Sequence, residues 1–218
     1  LAQGLPQAET TIGATWFHQH KEPSHPLLGY RDVRSSTPVW RNTISRAKYP
    51  WISDHVVLNA PVLPMACYLS AALVVAEEVF NSSGLRDVEI MTAMAFPHET
   101  AAKLLETSCN PDTREVTFRT LSSDGEWTTH ARCIVAPAVA SSKMPEWDTL
   151  PPCAEEFPLS VYYEQASRWG FDFGDNFRMF QGIRRDASSV RTTISAFKED
   201  DAGDVYKRSE ERRVGKEC

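Results

Sequence analysis

Between Pro64 and Gly84 the chain carries an apolar helical run, and strand patterns follow it. From Ala66 to Phe80, Leu69, Leu73, Ala76 and Phe80 recur at spacings of three and four. Ala72, Val75 and Val79 form a second stripe beside them, and Glu77 and Glu78 are the only charges. So apolar a helix predicts cover over most of its circumference. Pro64 stands where a first turn tolerates a missing N–H. Asn81-Ser82-Ser83-Gly84 supplies C-cap chemistry.

Strand composition surrounds this helix. Val39–Ser45 has partial alternation before it. After it, Val88, Ile90 and Thr92 alternate with polar or small residues, ending at Phe96-Pro97. Val116, Phe118 and Thr120 alternate with Thr117 and Arg119. Ser122-Ser123-Asp124-Gly125 predicts a turn. Trp127, Thr129, Ala131, Cys133 and Val135 then read as one face of a strand, opposite Thr128, His130 and Arg132. A strand, a buried helix and an antiparallel meander predict a sheet curved round one helix. That is the hotdog arrangement, class α+β.

Composition narrows the function classes. Of 218 residues, 42% are hydrophobic and 24% charged, an ordinary globular balance. A net charge of -6 argues against nucleic-acid binding through a basic surface. Cys67, Cys109, Cys133, Cys153 and Cys218 are scattered without a CxxC pair, so no metal site is expected, and their odd number suits a reducing, cytoplasmic setting. The apolar run Ala71–Ala76 is too short to span a bilayer, so no membrane role is expected.

Chemistry concentrates at His55. It ends the aromatic approach Tyr49-Pro50-Trp51-Ile52, and Pro64 follows nine residues later. A neutral imidazole can take a proton from carbon. Burial beside Trp51 and the helix would disfavour its charged form. The helix start Pro64-Met65-Ala66 would offer backbone N–H groups to a developing enolate. A lone histidine can also be purely structural, the reading that suits His98 and His130; His18 and His20 read as surface residues of a linker. Gly-rich phosphate loops, a GxSxG elbow and an HExxH helix are absent from the sequence. Asp172 and Asp175, flanking Gly174, read as turn residues.

Ordered motifs add a resemblance. HPLLG at His25–Gly29, WRN at Trp40–Asn42, PWISDH at Pro50–His55, PMACYLSAA at Pro64–Ala72 and YYEQASRWGFDFGDNF at Tyr162–Phe177 together resemble the dehydratase domain of polyketide synthases, most nearly the fungal highly reducing type. The resemblance covers nearly all of His25 to Lys207. It implies a double hotdog that removes water from a β-hydroxyacyl thioester carried on the phosphopantetheine arm of an acyl carrier protein, leaving an α,β-enoyl thioester. It implies no directly bound cofactor and no metal. The implied partners are the acyl carrier protein and the other domains of the same synthase, in a homodimeric parent.

By the same resemblance His55 is the catalytic base of a motif of histidine, three residues, glycine, four residues, proline. Asn59 replaces the glycine and Pro64 keeps its place. Asn59, Pro64, Met65, Phe173 and Gly174 are the implied substrate-binding positions. Met65 stands where a small residue is usual and Phe173 where tyrosine is frequent. Asn tolerates positive φ better than other side chains, so the turn can survive. The family's acid, an aspartate at a His-Pro motif downstream of this segment, has no counterpart between Phe177 and Lys207.

The expected organisation is a leading linker over 1–24, an N-terminal hotdog over 25–137, a Pro-rich linker over 138–158 and an incomplete second hotdog over 159–207. Within the last, Ser160–Trp169 predicts a helix with Val161, Tyr162, Gln165 and Trp169 on one side, and Phe180–Ala196 begins a strand pair. Arg208–Cys218 reads RSEERRVGKEC and resembles the translation of a sequencing adapter, so 208–218 is expected to be an artefact on a fragment that is itself inactive. The alternatives are a non-catalytic, template-type hotdog that binds an acyl chain, motivated by Asn59 and Met65, and a free-standing hydratase or thioesterase.

Overall fold

The structure, a computed structural model, describes residues 25–137, 155–186 and 190–194. The expectations for 1–24, most of the Pro-rich linker and the residues from 195 onward, Arg208–Cys218 included, lie outside the described residues. Two compact units result. Described residues up to Ile44, Met65–Thr92 and those from Ala102 to Pro137 form the first. Ser45–Pro64, Ala93–Ala101 and those from Glu155 onward form the second.

The first unit is a six-stranded sheet and one helix. Its strands are β1 (Tyr30–Arg31), β2 (Val39–Ser45), β5 (Leu85–Ile90), β6 (Ala102–Cys109), β7 (Glu115–Leu121) and β8 (Trp127–Val135). They lie in the order β1-β2-β6-β7-β8-β5, and the pairs β1–β2, β6–β7, β7–β8 and β5–β8 are antiparallel. Helix α1 (Met65–Phe80) packs on β5, β7 and β8. This is the expected hotdog, class α+β.

The helix buries a narrower face than its composition predicts. Tyr68, Ala71, Ala72, Val75 and Ala76 are buried, whereas Leu73 is 40% exposed. Three alanines on the buried face let the helix backbone approach the sheet, which leaves the larger Leu73 outside. The helix ends at Asn81, whose φ of 49° is the left-handed conformation that asparagine tolerates.

Strand β8 departs from its expected alternation. The register jumps from Phe118↔Ala131 to Arg119↔Thr129, leaving His130 as the extra residue of a bulge. His130 therefore turns inward with Ala131 and is 3% exposed, while Trp127 ends up 41% exposed. The histidine is satisfied there: Nδ1–H donates to the Thr92 carbonyl at 2.9 Å, and Nε2 accepts from the Thr120 hydroxyl at 2.8 Å. Strand β6 carries no clear signal in the sequence. Leu105, Thr107 and Cys109 face the core, and Glu106 is buried on the other side between the guanidinium groups of Arg41 and Arg119.

The HPLLG and WRN segments lock together. Leu27 and Leu28 are buried, and Asn42 Nδ2 donates to the carbonyls of Pro26 and Leu27 at 2.7 and 3.2 Å. Gly29 has φ 71°, and a Cβ there would sit 2.3 Å from the Arg41 carbonyl oxygen. His25 Nδ1 accepts the Leu27 N–H, so its Nε2–H donates to Ser70 Oγ of α1 at 3.0 Å. Burial lowers the pKa of His25 to about 4.

The second unit contains two three-stranded sheets. One has the order β10-β3-β4, from β3 (His55–Val57), β4 (Ala60–Pro61) and β10 (Phe171–Phe173). The other has β12-β11-β9, from β9 (Glu155–Phe157), β11 (Phe180–Arg185) and β12 (Val190–Ile194). The expected strand pair after Phe180 is thus present over the described residues. Helix α2 (Leu159–Arg168) differs from expectation in its face. Val161 and Trp169 are exposed, and Ala166 is its buried residue. Tyr162, which belongs to the expected side, and Tyr163 meet Phe180 at ring-centroid distances of 5.1 and 6.4 Å, and that contact sets the inward side.

Candidate active site

His55 is placed by short-range chain geometry. Pro50–Asp54 form a 3-10 turn, and β3 begins at His55. Strand β3 hairpins into β4 through Leu58 and Asn59, with Val57 opposite Ala60. Their φ values are 48° and 64°, positive at both central positions as a two-residue type I′ turn requires. Asn59 thus fills the glycine position of the motif in the conformation that position needs. Both turn residues are exposed, which puts the Asn59 side chain at the tip of the hairpin.

The hairpin brings Val62 back to His55. The Val62 N–H donates to the His55 carbonyl at 2.9 Å, and the His55 ring reaches the Val62 carbonyl from Nδ1 at 2.9 Å. A carbonyl only accepts, so Nδ1 carries the hydrogen and the neutral ring keeps its lone pair at Nε2. Val62 is itself fixed: Leu63 N–H donates to Met94 at 3.0 Å, Phe96 N–H donates to Pro61 at 2.8 Å, and Val62 bridges Ala95. Among the described residues Nε2 of His55 has no hydrogen-bond partner, whereas His25 and His130 use both ring nitrogens structurally. His55 is half-buried rather than enclosed.

The Gly-punctuated segment arrives across the sheet. Phe173 pairs with His55 and Phe171 with Val57. The Phe173 and Phe177 rings lie 6.0 and 5.1 Å from the imidazole, and Trp51 is 6.4 Å from Phe177. Gly174 meets Asp54: a Cβ on Gly174 would lie 2.4 Å from the Asp54 carboxylate carbon. Phe173 also lines an open cleft of about 440 Å³ together with Tyr163, Arg168 and Arg178, mostly polar and unlike an acyl tunnel. His55, Asn59, Pro64, Phe173 and Gly174 all belong to this second unit. Met65 opens α1 and is 54% exposed. The first N–H groups of a helix lack intrahelical partners. Pro64 is buried.

Sequence reasoning missed Phe177 as a neighbour of His55 and Val62 as the group that sets its tautomer. A carbonyl leaves no trace in residue type, but the phenylalanine closing the motif was open to notice. Among the described residues the cysteines offer no competing nucleophile. Burial pushes the Cys67 thiol up to about 12 and those of Cys109 and Cys133 up to about 11, far from the thiolate that reacts.

Residues 25–123 match the family model described as polyketide synthase dehydratase domain. The squalestatin hexaketide synthase of a Phoma species is 29% identical over 216 residues, covering 91% of this chain. A highly reducing polyketide synthase of Gibberella moniliformis is 30% identical over 213 residues, covering 86%. The chain spans 8% of the length of each of these two relatives. Among solved structures, the dehydratase domain from the terminal module of the rifamycin polyketide synthase superimposes with a TM-score of 0.71 at 21% identity, covering 83% of this chain and 68% of that one.

Proposed function

The chain belongs, over the residues that the family model matches, to the dehydratase domains of polyketide synthases, and on that premise we propose that His55 is the base that removes the α-proton of a β-hydroxyacyl thioester. The observation that carries this reading is the open Nε2, left by the Nδ1–H bond to the Val62 carbonyl. A base must present a lone pair, and this ring presents it at a fixed atom.

The reaction balances as an elimination. Nε2 takes the α-proton, the Cα–H electron pair becomes the Cα=Cβ bond, and the β-hydroxyl leaves with one proton as water. Hydroxide is a poor leaving group, so a second group must protonate it. The resemblance gives that task to a downstream aspartate, and Asp172, Asp175 and Asp186 are not assigned to it. The helix start at Pro64–Ala66 is the proposed donor to the thioester carbonyl. Asn59, Met65, Phe173 and Gly174 are the remaining proposed substrate positions. The substrate arrives on the phosphopantetheine of an acyl carrier protein, the proposed partner within a multidomain, homodimeric, cytoplasmic synthase.

The template-type alternative loses one of its two motives. Asn59 adopts the turn conformation a glycine would and sits on an exposed tip. A β,γ-alkynoyl pantetheine thioester separates the readings. Removal of its α-proton and return of a proton at Cγ convert the alkyne into an allene, which the nearby imidazole attacks to form a covalent adduct. A single adduct mapped to His55 by mass spectrometry supports the base, and an unmodified His55 after long incubation contradicts it.

A further inference from the structure

We propose that Asp54 is a positioning residue for the imidazole of His55, acting through the turn Gly174–Phe177; the proposal rests on the reading of His55 as the base. Three hydrogen bonds join the two segments, which are about 120 residues apart in the sequence. The Asp54 carbonyl accepts the Gly174 N–H at 2.8 Å. Its carboxylate Oδ2 accepts the Asn176 backbone N–H at 3.2 Å and the Asn176 side-chain amide at 2.6 Å. Bonds to an ionised acceptor are stronger than neutral ones.

The clamp has a built cradle. Gly174 has no side chain where a Cβ would strike the Asp54 carboxylate at 2.4 Å. Only glycine lets the turn come this close. On either side of the clamped Gly174, Phe173 and Phe177 place their rings 6.0 and 5.1 Å from His55, tilted 43° and 52° to it. Among the described residues the imidazole has one hydrogen bond, to Val62, so packing must restrain the side-chain torsion that would break it. The two phenyl rings supply the restraint, and Asp54 holds the turn that carries them. Asp54 therefore works on its own neighbour in sequence by way of a distant segment.

The test reads the ring directly, on the full chain with ¹⁵N-labelled histidine. In the wild type, His55 shows a protonated Nδ1 and a bare Nε2, with its carbon-bound protons shifted upfield by the phenyl rings. Asp54→Ala should reduce the population of that tautomer at least twofold and remove the upfield shift, while the His25 and His130 signals stay in place. Asp54→Asn, which keeps an acceptor oxygen, should retain most of both. An unchanged His55 spectrum in Asp54→Ala overturns the proposal. If Asp54→Ala fails to fold, Asn176→Ala decides: a partial shift of the same sign supports the clamp, and no shift overturns it. No turnover is measured, so failure of the dehydratase reading would leave this result standing, and the reverse.

Discussion

The Nδ1 of His55 lies 2.9 Å from the carbonyl oxygen of Val62, and that distance fixes which nitrogen can act as a base. It also links the function to the hairpin that returns Val62 to His55. Anything that opens the Leu58-Asn59 turn should loosen the proposed base.

The turn gives the first prediction. Leu58 sits at φ 48° with an exposed side chain, and a left-handed residue with a Cβ costs roughly 1–2 kcal/mol. Leu58→Asn should therefore stabilise the chain by about 1 kcal/mol, and Asn59→Ala should destabilise it by about as much. Urea denaturation curves measure both. Loss of stability in Leu58→Asn would mean that the leucine makes contacts outweighing its backbone strain.

Gly174→Ala is the second. Its φ of -80° is open to any residue, so the cost is purely the clash with Asp54. The variant should separate the turn from β3 and lose stability, by about 1–3 kcal/mol as overpacking does. Adding Asp54→Ala should recover part of the loss, and a double-mutant cycle reads the coupling.

Histidine burial gives a pH dependence. His25 titrates at about 4 in the folded chain against an ordinary value of 6.5, and burial lowers His130 as well. Between these values the unfolded chain binds the proton and the folded one does not. Stability is therefore complete above pH 6.5 and falls as pH drops from 6.5 towards 4, by at most about 3 kcal/mol for His25. Melting temperatures at pH 7 and pH 5 should differ less in His25→Gln than in the wild type.

Much of the first unit was legible because its signals are local. The helix after Pro64, strand β7 and the turn at Ser122–Gly125 follow from periodicity and turn chemistry. The start of β8 did not, because one inserted residue, His130, inverts the alternation before Ala131, whereas Ala131, Cys133 and Val135 are buried as their shared face predicts. Strand β6 reads Ala-Lys-Leu-Leu-Glu, as good a helix as a strand until its neighbours claim it. At the candidate site, His55 stood out through the resemblance of the ordered motifs around it. The Val62 carbonyl is a backbone group seven residues away that residue type does not mark, and the Asp54–Asn176 clamp and the approach of Phe177 depend on pairing over distances no local pattern encodes.

The central claim is that His55 removes an α-proton, and hydrogen exchange tests it without requiring elimination. The full chain is incubated in D₂O with a β-hydroxyacyl-pantetheine thioester, and α-deuterium is followed by mass spectrometry. The account predicts incorporation above the buffer rate by 10²-fold or more, the usual scale of a positioned base, and its loss in His55→Ala. Exchange at the buffer rate, or exchange that survives His55→Ala, would contradict it.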